Sequence, residues 1–129
     1  MTNNKAIQGY GRSAIETELS YASPHRIIQM LMEATLSKLA TAKGCIERGE
    51  IAEKSRQITW AMNIIQGLRT SLDGEQGGEI AANLDALYEY MGRQLLEANV
   101  SNNTALLDEV SRLVTEIKDG WDTIPAEFH

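Results

Sequence analysis

Two pairs of helix-breaking residues in the middle of the chain constrain its fold more than any other stretch. Asp73-Gly74 and Gly77-Gly78 interrupt two long apolar patterns, because glycine adopts the positive φ values that end helices and form turns. The residues after them predict a helix with a narrow apolar stripe, a sector of roughly 100°. The stripe consists of Ile80, Leu84, Leu87, Tyr88, Met91 and Leu95. One helix therefore ends near Leu72, the chain reverses, and another begins near Glu79.

The composition indicates one helical domain. The chain has 129 residues, with two prolines and few aromatic residues, and no alternating run predicts a strand. No apolar run reaches the roughly 18–20 residues of a membrane span, and the first residues lack the apolar core of a secretory signal. The net charge of −6 disfavours nucleic acid, and the single cysteine fits a reducing compartment. We expect a cytoplasmic protein with no nucleic-acid partner and no membrane insertion.

The first helix has well-defined ends and a broad apolar face. Ser23 is predicted to cap it, and Pro24 stands at its first position, where the missing N–H costs nothing. Gly49 is predicted to stop it after Arg48. The apolar face covers roughly half the circumference, so it either contacts two neighbouring helices or receives a partner on one part. The candidate partner-binding residues on this face are Ile28, Met32 and Leu36.

The second helix is predicted over 51–72, with two apolar residues off its core stripe. The predicted core stripe consists of Ile51, Ile58, Ala61, Met62, Ile65, Leu68 and Leu72. Trp60 and Ile64 lie four residues apart beside this stripe, so they are neighbours on one flank. A Trp beside an Ile is a candidate anchor for a partner, since Trp is enriched among interface hot spots. The alternative is a wider edge of the core.

The remaining residues complete a four-helix bundle. A fourth helix is predicted to begin at Asn102 or Asn103 and to end before Pro125. Four helices joined by short turns predict an all-α, antiparallel up-down-up-down bundle over 21–129. Residues 1–20 are expected to form a mobile N-terminal segment, loosely attached to it. This segment is either a frayed tail or a detachable piece whose Ile7 and Tyr10 rest on an apolar surface.

The sequence contains no recognisable catalytic or metal-binding pattern. Neither His25 nor His129 has a glutamate three residues before it, as the di-metal sites of helical bundles require. Cys45 has no histidine near it and is expected to be a small buried apolar residue. The glycines at 74–78 lack the Gly-Lys-Ser/Thr ending of a phosphate loop. We predict a protein that is not an enzyme and has no cofactor.

Several stretches resemble the flagellin-specific flagellar export chaperone family over nearly the whole chain. One is the Ser-Pro helix start followed by Ile-Ile-Gln-Met-Leu at 27–31. The most specific is Gly-Gly-Glu-Ile-Ala at 77–81, with Leu-Tyr-Glu-Tyr-Met at 87–91. Tyr10 and Trp121 also fit. The chain departs from the family's usual Met-Leu-Tyr-x-Gly pattern, because Met32 and Ala34 stand where that pattern has Tyr and Gly.

The resemblance implies a cytoplasmic chaperone with a four-helix fold and flagellin as its client. Such a protein binds the disordered C-terminal segment of flagellin, prevents premature polymerisation and delivers it to the type III export gate. A client that folds on binding loses chain entropy, so the chaperone must offer a long apolar surface. The broad faces of the first two helices would supply it, with Ile7 and Tyr10 covering it when empty. The resemblance also implies a role for Tyr10 in docking at the gate.

A second interpretation remains open on the residues alone. An acidic bundle without catalytic residues would equally suit a non-catalytic helical adaptor or regulator that binds another protein. The motif match separates this interpretation from the export chaperone. Neither the motif nor the composition predicts whether other flagellar regulators bind.

Overall fold

The protein is a ring of four antiparallel helices. The computed structural model describes residues 21–72 and 74–128, and for residues 74–76 only the backbone. The helices are α1 (Pro24–Arg48), α2 (Ile51–Thr70), α3 (Gly74–Ser101) and α4 (Thr104–Asp122), followed by a short 3-10 helix (Ala126–Phe128). Each long helix packs against two others, in the order α1, α2, α3, α4 and back to α1.

This arrangement confirms the predicted four-helix bundle. The predicted N-terminal segment, residues 1–20, lies outside the described residues, and the division at residue 20 stays a prediction. In residues 21–72 and 74–128, no helix combines the length and apolar character needed to cross a membrane.

The helix ends follow the capping residues that the sequence predicts. The Ser23 hydroxyl accepts a hydrogen bond from the backbone N–H of Arg26 at 3.1 Å, and Pro24 is the first residue of α1. Gly49 closes α1 in the left-handed conformation at φ 74°, with its N–H directed at the carbonyls of the last turn. The side chain of Asn103 caps α4 by accepting from the N–H of Ala105 at 3.0 Å. The α1–α2 turn and the α3–α4 turn are therefore determined by residues at the helix ends.

The two glycines before the long part of α3 serve different geometric needs. Gly78 has φ 53° and ψ −127°, which interrupts the helix with a kink. A Cβ on Gly77 would lie 2.7 Å from the Cβ of Ala81, closer than two carbon atoms tolerate. The regular helix therefore starts after the kink, near Glu79 as predicted, and the glycines fix the angle at which α3 enters the bundle.

One core, to which all four helices contribute, holds the bundle together. Its most buried members include Met32 and Leu39 of α1, Ile58 and Ile65 of α2, Met91 and Leu95 of α3, and Leu107 and Val110 of α4. Cys45 is buried beside this core, as predicted. The broad apolar face of α1 is explained in part by its packing against both α2 and α4.

Two residues assigned to the core stripes lie outside the core instead. Ile51 is 48% exposed, because it is the first residue of α2 and stands at the end of the bundle. Ile80 is 72% exposed, and Ala81 is the buried residue in its place. The prediction for these two residues is wrong, because the caps and the kink at Gly78 determine how the first turn of each helix faces the core.

Lys54 occupies a core-facing position near the start of α2. The residue is only 3% exposed, and its Nζ donates a hydrogen bond of 2.7 Å to the backbone carbonyl of Asn99 near the end of α3. That carbonyl belongs to the last turn of a helix, where carbonyls lack intrahelical partners. Nearby, the Ser55 hydroxyl donates to the side-chain oxygen of Asn99 at 3.1 Å. Lys54 therefore joins the start of α2 to the end of α3.

We expect Lys54→Met to destabilise the protein by about 1–3 kcal/mol, because it keeps most of the aliphatic stem but leaves the Asn99 carbonyl without its donor. The measurement is urea unfolding, with Ser55→Ala as the matched control, which removes a neutral bond to the same residue. An unchanged or higher stability of Lys54→Met would contradict this role.

Candidate functional site

The first candidate surface is a shallow groove along the outer side of α2. It encloses about 740 Å³ and is lined by Leu31 of α1 and by Ser55, Arg56, Thr59, Trp60, Asn63, Ile64 and Gly67 of α2. We call it the Trp60 groove, because Trp60 is its largest side chain and is 55% exposed. An exposed indole of this size is costly to leave in water and favourable to cover.

Small residues form one border of the Trp60 groove. Ser55, Thr59, Asn63 and Gly67 follow one another at intervals of four, which places them in a row along α2. A Cβ built on Gly67 would have no atom within 4 Å, so the space above it is open. Trp60 and Ile64 form the parallel row beside them. A helix placed along the groove would contact the row of small side chains and, beside it, the apolar row of Trp60 and Ile64.

Lys38 of α1 lies directly over the ring of Trp60. Its Nζ is 4.0 Å from the ring centroid, a distance at which an ammonium is attracted to the aromatic face. Arg56, which also lines the groove, forms an ion pair with Glu53. Hydrogen bonds from Gln57 and Arg56 hold the pKa of the Glu53 carboxyl below its ordinary value, and the charge of Lys38 adds to that effect. The groove thus has a positively charged edge.

A second, more enclosed cavity lies at the end of the bundle where α1 begins. We call it the end pocket; its volume is about 590 Å³. All four helices and the C-terminal residues line it: Pro24, His25, Ile27, Ile28, Met32, Leu68, Ser71, Leu72, Leu84, Tyr88, Ile117, Trp121, Ile124 and Phe128. Most of these side chains are apolar, and Phe128 is exposed at the rim. Burial raises the pKa of the Tyr88 phenol above its ordinary value, because the apolar surroundings disfavour the charged form.

A contact between His25 and Trp121 fixes one wall of the end pocket. The two rings are stacked with centroids 4.8 Å apart and planes within 10° of parallel. The Trp121 Nε1–H donates a hydrogen bond of 3.0 Å to the backbone carbonyl of His25. This pair joins the first turn of α1 to the last turn of α4 and keeps the pocket wall in place.

The predicted binding residues fall in different places. Trp60 and Ile64 lie together in the Trp60 groove, whereas Ile28 and Met32 line the end pocket. Met32 is only 1% exposed, so a partner would reach it through that pocket alone. Leu36 lines neither surface. It lies seven residues from both Gln29 and Lys43, which hydrogen-bond to α4, so it faces that helix.

Ile7 and Tyr10 lie outside the described residues. The binding roles of these two residues, and of those in the two surfaces, stay predictions.

Sequence reasoning did not single out Lys38, the small-residue row or the His25–Trp121 pair. The row was visible as a four-residue spacing in α2, but the other two depend on contacts between helices. Among the described side chains, those of residues 21–72 and 77–128, no three His, Cys, Asp or Glu are grouped so as to hold a metal ion. What the two surfaces offer chemically is the burial of apolar side chains, next to a few polar groups.

Comparison with known proteins places the chain among flagellar proteins. The family model described as flagellar protein FliS matches residues 6–127. The flagellar secretion chaperone FliSB of Pseudomonas aeruginosa is 55% identical over 120 residues, which cover 93% of this chain and 95% of that protein. The flagellar secretion chaperone FliS of Vibrio cholerae is 41% identical, with 96% and 91% covered. The FliS of Salmonella typhimurium is 39% identical, with 96% and 93% covered.

A solved structure supports the fold independently. It is described as a crystal structure of a flagellar chaperone from bacteria, and it matches 91% of this chain and 94% of its own with a TM-score of 0.73. The sequence identity is 13%, so this likeness bears on the fold alone.

Proposed function

The chain belongs to the FliS family of flagellar secretion chaperones, and from this membership we propose that it binds flagellin in the cytoplasm. Its client is the disordered C-terminal segment of flagellin. Binding prevents that segment from polymerising too early and delivers it to the type III export gate. The family is non-catalytic, so the function lies in binding rather than in chemistry.

The observation that carries this proposal is the Trp60 groove. A disordered client must recover, through burial of apolar area, the chain entropy that it loses on folding. The exposed indole of Trp60, with Ile64 and Leu31 beside it, offers such area. The row of small side chains next to it leaves room for a client helix to pack closely against α2. Client helices would place anchors at intervals of three and four residues against this surface. Trp60 and Ile64 are the contacts that we propose in the groove.

The end pocket supports a second contact with the same client. An extended segment can reach two separate surfaces, and linking two contacts raises the affinity through effective concentration. Ile28 and Met32, which both line the pocket, would receive an apolar client side chain. Methionine suits this role, because its unbranched side chain adapts to different shapes. Leu36 would contribute only where a client extends along the α1–α4 side.

The N-terminal segment is proposed to cover the apolar surface when no client is bound. It joins the bundle at Pro24, which lines the end pocket. Ile7 precedes Pro24 by 17 residues, which span up to about 60 Å when extended, compared with about 37 Å for the 25 residues of α1. Both surfaces are therefore within reach of Ile7 and Tyr10. When the client binds, it would displace the N-terminal segment, and Tyr10 would then be free to dock at the export gate.

We expect the full chain to bind a peptide of roughly the last 40 residues of flagellin and to induce helix in it, because burial on the apolar surfaces favours an amphipathic conformation. Calorimetric titration and circular dichroism measure affinity and induced helix. A peptide of the same composition in scrambled order is the control. Equal binding of both peptides, or of neither, would contradict the proposed function.

We expect Trp60→Ala to weaken client binding by at least about 1–2 kcal/mol, as truncation of an interface hot spot does. Thermal unfolding of the unbound variant is measured beside it. Ile80→Ala is the control, because Ile80 is also a large apolar side chain, is 72% exposed and lies outside the groove. If stability falls as much as affinity, Trp60 acts as a core residue and its role in the groove is wrong.

Deletion of residues 1–18 tests the covering role of the N-terminal segment. We expect tighter binding of the flagellin peptide and lower solubility of the free protein, because the deletion exposes apolar surface. Tyr10→Ala in the full chain is the companion variant, and it should keep client affinity while weakening binding to the gate. Unchanged affinity together with unchanged solubility of the deletion variant would exclude the covering role.

A further inference from the structure

The two hairpins of the bundle carry opposite net charge. Residues 24–70, which form α1 and α2, contain seven Lys and Arg against four Glu, a net charge of +3. Residues 74–122, which form α3 and α4, contain three Lys and Arg against ten Asp and Glu, a net charge of −7. Since the helices follow one another around a ring, the outer side of α1–α2 is opposite that of α3–α4. Lys54 is buried, so the other charged residues of α1 and α2 leave a net charge of +2, and the Trp60 groove lies on this positive side of an acidic protein.

Most cations of α1 and α2 are already engaged by described partners. The pairs are Arg26 with Glu33, Lys43 with Asp108, Arg48 with Glu50, Lys54 with the Asn99 carbonyl, Arg56 with Glu53, and Arg69 with Asp85. Lys38 differs from these six. Within the part of the chain that the structure describes, it forms no ion pair, and its Nζ lies over Trp60 instead.

The walls of the groove contain no carboxylate among the described residues. Arg56 is the one ionisable residue in the described lining, and Glu53 beside it is already hydrogen-bonded by Arg56 and Gln57. A partner that covers Trp60 also displaces water from the Lys38 ammonium, and removing water from a charge is unfavourable unless a partner compensates it. A carboxylate on the partner would supply that compensation.

We propose that Lys38 makes the Trp60 groove selective for a helical segment that carries a carboxylate one turn from an apolar anchor. The inference rests on the proposed function and specifies its client chemistry. The anchor packs on Trp60 and Ile64, and the carboxylate pairs with the Lys38 Nζ at the edge of the ring. A basic segment is disfavoured there by Lys38 and Arg56. A neutral segment leaves the ammonium partly desolvated, and the one nearby carboxylate in the described residues, that of Glu53, is already hydrogen-bonded by Arg56 and Gln57.

The test uses the full chain and a peptide of the last 40 or so residues of flagellin, in which each Asp and Glu is replaced in turn by Asn or Gln. Lys38→Gln is expected to weaken binding by about three- to tenfold, the range of a partly exposed charge pair. One peptide substitution should weaken binding to the wild-type chain by a similar factor and have little further effect on Lys38→Gln, because both remove the same pair.

Two variants of the chain control this experiment. Lys38→Arg keeps the charge and is expected to retain affinity within about twofold. Lys43→Gln removes a cation from the same helix that already pairs with Asp108 of α4, and it is expected to leave affinity unchanged. Thermal unfolding of each variant, measured without peptide, identifies any loss of affinity that comes from loss of folding.

The outcomes separate this inference from the proposed function. No binding of the wild-type peptide to the wild-type chain contradicts both. If the affinity of Lys38→Gln stays within twofold of that of the wild-type chain, the selectivity alone is contradicted. The same holds if no peptide carboxylate is coupled to Lys38. The acidic side of a second copy is the competing occupant. Sedimentation that shows self-association abolished by Lys38→Gln, with peptide binding intact, would assign Lys38 to that contact and overturn the proposal.

Discussion

The structure depends on the burial of four apolar stripes in one shared core. Met32, Ile58, Met91 and Leu107 come from four different helices and are all almost completely buried. Each helix packs mainly against its two neighbours in the ring, so no pair of helices encloses the core alone. Away from the end pocket, the inner faces are therefore committed to stability. The outer sides of the helices, including the exposed flank of α2, are free to carry function.

Much of the fold could be predicted because its signals are local. Ser23, Pro24 and Gly49 set the ends of α1 through backbone geometry that depends on a few neighbouring residues. The exposure of Ile51 and Ile80 could not be predicted. Periodicity assigns a residue to an apolar stripe, but it does not show how the first turn of a helix packs against neighbouring helices. The burial of Lys54 could not be predicted either, because lysine is usually exposed and its partner, the Asn99 carbonyl, belongs to another helix.

In the candidate site, too, local features could be predicted from the sequence and contacts between helices could not. The spacing of Trp60 and Ile64 predicted that they share a flank, and they line one groove. Lys38 could not be placed over Trp60 from the sequence, because that contact joins different helices at a distance of 22 residues along the chain. The most family-specific stretch, Gly77-Gly78 with the residues after it, has a geometric explanation. One glycine avoids a clash with Ala81 and the other provides the kink, so this stretch shapes the bundle.

The environments of the two tryptophans give the protein two separate optical reporters. Trp60 is largely open to solvent, and an indole in water emits at longer wavelength than one in an apolar setting. Trp121 is less exposed, stacked on His25 and hydrogen-bonded to its carbonyl. Intrinsic fluorescence therefore distinguishes events on the flank of α2 from opening of the helix ends without any added label. A single emission spectrum would follow occupancy at one place and integrity of the bundle at another.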